Sequence, residues 1–167
     1  GYNCIENGDM CQGDNRDTPY IGAGIDPVTK EPAQELRLGP DDFYIAYGVN
    51  HQKTNKATYT NVSVLGWTKK FSPVVFSNDE MPGSAYSYLG SSINSATQDK
   101  LYALKVTRPG GCDGDYTYCR EVDYSCEGGI AEDDPITLVS RAYLEPETMV
   151  GADYGEIIID RVIKFTM

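Results

Sequence analysis

Five cysteines fall into two short stretches rich in Asp, Glu and Gly, near opposite ends of the chain. Cys4 and Cys11 form one stretch and Cys112, Cys119 and Cys126 the other, with successive cysteines seven residues apart in each. Cysteines left reduced usually sit among apolar neighbours. Here Cys11 lies in Asp9-Met10-Cys11-Gln12-Gly13-Asp14, and Cys112 in Gly110-Gly111-Cys112-Asp113-Gly114-Asp115. Thiols in polar loops persist best as disulfides, and disulfides persist in oxidising compartments. The expectation is a pair of stapled loops on a secreted protein, extracellular or in the periplasm or cell envelope. Cys4–Cys11 is the simplest first bridge, and Cys112–Cys119 or Cys119–Cys126 the simplest second; a bridge between the clusters is also open. With an odd number, one cysteine is unpaired or bonds another chain, and Cys126 or Cys112 is the expected one. The spacing is too wide for a zinc knuckle or ribbon, His51 is the only histidine, and there is no CxxCH haem motif.

Between the clusters the chain reads as sheet. Tyr (13 residues), Val, Ile and Thr are plentiful, and 26 Gly and Pro residues supply turns. Strands are expected at Pro19–Ala23, Ala33–Leu38, Asp42–Val49, Ala57–Leu65, Pro73–Ser77, Ser84–Leu89, Lys100–Thr107, Cys119–Tyr124, Ile136–Leu144 and Glu156–Phe165. In Asp42–Val49, Phe43, Ile45, Tyr47 and Val49 share one face, and Tyr44, Ala46 and Gly48 the other. The next strand follows through a polar connection, which reads as an antiparallel hairpin. Short helices are expected only near Ile93–Asp99 and Glu145–Val150. The fold class is therefore all-β: a single antiparallel β-sandwich domain over 1–167, jelly-roll-like, with long disulfide-stapled loops. Asp160 and Arg161 interrupt the apolar last strand and Arg141 interrupts Thr137–Tyr143. These charges read as an Asp160–Arg141 pair across neighbouring strands or as outward residues at the sheet rim.

No stretch approaches the roughly 20 apolar residues that cross a bilayer as a helix. The chain opens at Gly1 rather than Met, which fits a processed chain or a fragment of a longer protein. The net charge of −11 is segregated: −6 over residues 1–42, +4 over 43–110 and −9 over 111–167. The segments can fold back on each other or let one copy meet another, acidic surface against basic. Nucleic acid is not an expected partner, because Lys69-Lys70 is the only tight basic cluster.

No catalytic motif stands out. His51, just after the clearest strand, reads as a polar loop residue before it reads as a general base. No Gly-x-Ser-x-Gly elbow is present, and no pair of carboxylates is marked out for glycoside hydrolysis. Asp9, Asp14 and Asp17 at one end, and Asp113 and Asp115 at the other, offer oxygens for a structural calcium but follow no EF-hand pattern. Asn61-Val62-Ser63 is an N-glycosylation sequon. Trp67 and the tyrosine pairs Tyr86/Tyr88 and Tyr116/Tyr118, two apart and so expected on shared faces, provide rings on which a sugar would stack. The expected function is a non-catalytic structural or interaction domain, a subunit of a larger assembly with protein partners or self-association. A carbohydrate-binding module is the alternative and a secreted hydrolase the third reading.

Overall fold

The computed structural model of the chain describes residues 17–23, 36–125 and 127–167. In chain order its strands are β1 (Tyr20–Ala23), β2 (Asp42–Val49), β3 (Tyr59–Gly66), β4 (Phe71–Ser77), β5 (Leu101–Thr107), β6 (Cys119–Glu121), β7 (Ile136–Tyr143) and β8 (Arg161–Thr166). Two one-turn helices, α1 (Tyr86–Leu89) and α2 (Ser95–Gln98), lie between β4 and β5. Sheet one has the order β1-β7-β3-β4 and sheet two the order β6-β5-β2-β8. All pairings are antiparallel except β5 with β6, which is parallel. The chain is thus mostly β, in two four-stranded sheets with few helices. No helix among the described residues is long and apolar enough to cross a membrane.

Strand alternation builds one shared core. Sheet two turns Tyr44, Ala46, Tyr102, Leu104 and Val106 inward, where they join Val62, Val64, Val74, Phe76, Ile136 and Leu138 of sheet one. Burying each large side chain of this kind stabilises the fold by about 1.5–3 kcal/mol. The more apolar face of β2 is the outer one. Ile45 there is covered by Ala85 and by Ala103 of β5, with Leu89 of α1 packed alongside, while Tyr47 remains exposed.

Several expectations need correction. β2 and β3 are not a hairpin: β2 pairs with β5 and β8, and β3 with β4 and β7. The connection 50–58 crosses from one sheet to the other, anchored by buried Asn50, whose Nδ2 donates to the Asn78 carbonyl at 3.0 Å. Ser84–Leu89 is not a strand; it turns into α1, and Ser84 Oγ accepts the Ala103 N–H at 3.0 Å on the edge of β5. Glu145–Val150 is a single turn, closed by Met149 N–H to the Glu145 carbonyl. The last strand begins only at Arg161, and β6 ends at Glu121. Asp160 and Arg141 form no ion pair, and of the two only Arg141 is on an outer face. Asp160 Oδ1 is buried, whereas Arg141 lies over the Tyr20 ring at 4.5 Å on the other face of β7. The expected strand Ala33–Leu38 lies mostly outside the described residues.

One side chain ties the loops to this frame. Arg108, just past β5 and 2% exposed, donates Nε–H to the Leu38 carbonyl at 2.8 Å. Its Nη1 donates to Val122, Asp123 and Ile130 carbonyls at 3.2, 3.2 and 2.6 Å, and Nη2 to Ala131 at 3.3 Å. Burial pushes the guanidinium below its ordinary value, opposed by Tyr124, Glu132, Asp123 and Tyr44 nearby. Replacing it with an apolar side chain leaves all of these carbonyls short of a donor. Arg108→Met is expected to lower stability by at least about 3 kcal/mol in urea unfolding, given about 1–3 kcal/mol for each unmet acceptor. A loss under about 1 kcal/mol would mean that water replaces the guanidinium without cost.

Candidate functional site

β8 forms an edge of sheet two. Its register on β2 runs from Thr166 opposite Asp42 to Arg161 opposite Tyr47, and no strand among the described residues pairs its other side. Alternation sends Val162, Lys164 and Thr166 inward, and Arg161, Ile163 and Phe165 outward. Lys164 Nζ meets Asp42 Oδ2 at 2.7 Å and donates to the Arg37 carbonyl at 2.8 Å, while Thr166 Oγ1 donates to Asp42 Oδ1 at 2.7 Å. Burial pushes the Asp42 carboxyl up, but the bonds from Lys164, Thr166 and the Gly39 N–H outweigh it and hold it below its ordinary value. Asp42 and Lys164 line a polar notch of about 500 Å³ with Arg37, Gly39, Glu132 and Asp133.

The outer side has the opposite character. Phe165 stacks on Phe43 with centroids 4.8 Å apart, and Lys105 Nζ lies 4.9 Å from the Phe43 ring. Ile163, Phe165 and Tyr47 are 45%, 41% and 37% exposed, and the flanking Ile158, Ile159 and Met167 more so. A lysine on an edge strand usually repels an added strand. Lys164 is instead turned inward and neutralised by Asp42.

The other edges are blunted. β6 has only three residues and is tied back by the Cys112–Cys119 disulfide, with Glu121 Oε1 accepting the Gly110 and Cys112 N–H groups. β1 has four residues. β4 carries Pro73, which has no N–H to donate, and its register with β3 shifts between Val64 and Gly66.

Just before β8, Asp160 extends the strand and sits opposite Gly48. A Cβ on Gly48 would lie 1.9 Å from Asp160 Oδ1 and 2.9 Å from Tyr102 Oη. Ser140 of β7 approaches from sheet one, and the Ser140 and Tyr102 hydroxyls both draw the Asp160 pKa down. Burial outweighs them and pushes the carboxyl from 3.8 up to about 6. None of Asp160 Oδ1, Tyr102 Oη and Ser140 Oγ completes a hydrogen bond of regular geometry. The hydroxyls act on the carboxyl from close range without saturating it.

The residues singled out in the sequence are scattered. His51 is buried at 5% exposure, with Nε2 3.3 Å from the Ile158 carbonyl; burial pushes its pKa down, opposed by that carbonyl. Trp67 has Lys70 Nζ over its ring at 3.1 Å. Tyr86 and Tyr88 are exposed, but on a helical turn residues two apart point about 200° away from each other. Tyr118 packs on the core and donates to the Pro82 carbonyl at 2.9 Å, while Tyr116 stays exposed. Asn61 is 6% exposed on β3, its Nδ2 directed at Tyr59 Oη at 3.4 Å. Cys112 and Cys119 are bonded, and Cys4, Cys11 and Cys126 lie outside the described residues. Asp9 and Asp14 also lie outside them. Asp17, Asp113 and Asp115 are exposed, and among the described residues no group of three or more His, Cys, Asp or Glu is placed to hold a metal. Asp115 Oδ1 instead accepts the Thr117 N–H at 2.9 Å. Asp160, Tyr102 and Ser140 are far apart in the chain, so their cluster leaves no sequence pattern beyond a lone acid after three isoleucines.

No family model matches the chain, and no curated protein matches it. Among solved structures it is similar to the VPA0106 protein from Vibrio parahaemolyticus, with a TM-score of 0.50 and 12% identity. The match covers 90% of this chain and 31% of that one, so the chain spans about a third of that protein. Such a likeness concerns the fold alone.

Gly48 is where the backbone must be bare for Asp160 to enter. Gly48→Ala is expected to push the carboxyl out and cost about 1–3 kcal/mol, read as a lower thermal midpoint. An unchanged midpoint would mean that Asp160 can leave freely.

Proposed function

We propose that this chain is a non-catalytic structural or interaction domain of the extracellular space or cell envelope, an antiparallel β-sandwich that self-associates as a subunit of a larger assembly. The observation that carries this reading is the open, apolar edge at β8. No strand among the described residues pairs the outer N–H and C=O groups there, which lie beside exposed Ile159, Ile163 and Phe165. Strand addition at such an edge takes affinity from main-chain bonds and specificity from alternate side chains. Two β8 strands paired antiparallel about Ile163 would set Arg161 of each against Phe165 of the other and keep the two Lys164 side chains from facing each other. The Cys112–Cys119 disulfide supports an oxidising compartment. A carbohydrate-binding role is the second reading, favoured by the exposure of Tyr86, Tyr88 and Tyr116.

Native mass measured across a range of concentrations, with and without reductant, tests the first reading. A species larger than the 18.4 kDa chain is expected, and Ile159→Asp with Ile163→Asp should return it to monomer. A monomer under every condition would overturn self-association. Quenching of Trp67 fluorescence by oligosaccharides would then favour the second reading.

A further inference from the structure

The Asp160 carboxyl occupies a place where an ion is poorly served. β2 offers it the bare backbone of Gly48, β5 the Tyr102 hydroxyl and β7 the Ser140 hydroxyl. No cation among the described residues acts on it; Arg161, the next residue, is exposed and by alternation faces the other side of the sheet. A neutral carboxylic acid carries a proton that it can donate to either hydroxyl, whereas a carboxylate must be solvated by two imperfectly placed donors in a low-dielectric site. The residue also marks the start of the edge strand: Ile158 and Ile159 before it are exposed, and β8 begins immediately after it.

We propose that Asp160 is a proton-controlled latch that holds the start of β8 against β2 when neutral and loosens the strand when it ionises. The latch does not depend on what, if anything, docks on β8. Its sign follows from linkage. A carboxyl raised from 3.8 to about 6 contributes stability fully present below pH 3.8 and lost as pH rises through about 6. Other groups that face β8 and its lead-in work in the opposite sense. Asp42, held below its ordinary value under Lys164 and Thr166, strengthens the strand's attachment above pH 3.8 and loses that contribution as pH falls. His51, held neutral beside the Ile158 carbonyl, supports the lead-in above its ordinary 6.5 and less as pH falls below it. The latch is therefore read as a difference between the native chain and Asp160→Asn, which keeps the shape and removes only this proton.

Hydrogen exchange of the full chain, corrected for the intrinsic pH dependence of exchange, makes that comparison. From pH 4.5 to 7 the exchange of β8 amides in the native chain, relative to Asp160→Asn, should rise roughly 20-fold, while β7 amides keep a constant ratio. A flat ratio at β8, or an equal rise at β7, would overturn the latch. Should the variant not fold, carbon-13 NMR of the aspartate carboxyls in the native chain decides instead. Asp160 titrating near 6 supports the proposal, and titration near 4 overturns it.

Discussion

The architecture depends on a buried cation. Arg108 closes the end of β5 by donating to five backbone carbonyls, from the segment before β2, the end of the β6 strand region and the approach to β7. Among the described residues no carboxylate forms an ion pair with it; its charge is spread over peptide dipoles and over the Tyr124 ring, 4.3 Å away, with Glu132 and Asp123 acting from further off. A charge taken out of water is tolerated only when its donors are satisfied, and here each acceptor is also a loop carbonyl in need of a donor. The same contact thus solves both problems. It also joins the two sheets, since Leu38 leads into sheet two and Ile130 into sheet one.

The opposite end of β5 shows the contrary design. Tyr102, near its start, meets Asp160, which Ser140 approaches from β7, and Asp160 Oδ1, Tyr102 Oη and Ser140 Oγ form no regular bond. One end of the strand holds a charge met by five carbonyls; the other holds an acid whose Oδ1 has no regular partner. β8 lies against this difference, with polar bonds to Asp42 at its far end and the underserved carboxyl at its near end.

Much of the sheet was legible in the residues. Alternation located β2, β3, β4, β5 and β7 to within a few positions, because each has a face that must be dry. It did not say which face. The Phe43, Ile45, Tyr47 and Val49 row is the more apolar, yet Tyr44 goes inside because its hydroxyl reaches the Arg37 carbonyl at 2.9 Å. Nor does alternation assign partners: β2 and β3, neighbours in sequence, lie in different sheets. Ala85-Tyr86-Ser87-Tyr88 mimics period two, but lies between Gly83 and Gly90, both at positive φ, and closes into a helical turn. The Cys112–Cys119 bridge was one of the alternatives that spacing left open. Asp160 was visible only as an interruption. An acid within an isoleucine run ordinarily points to water, and only the bare Gly48 opposite, set by strand pairing, lets it turn inward.

Blunt edges have a consequence for size. Where β6 is short and bridged, β1 short, and β4 marked by Pro73 and a register shift, β8 is the one unguarded border among the described strands. An object with two open borders stacks without limit into filaments, whereas one with a single border is exhausted by its first like partner. If copies add through β8 as proposed, growth along the described sheets stops at two, with the hydrogen-bonded ladder of each sheet two continued into the other.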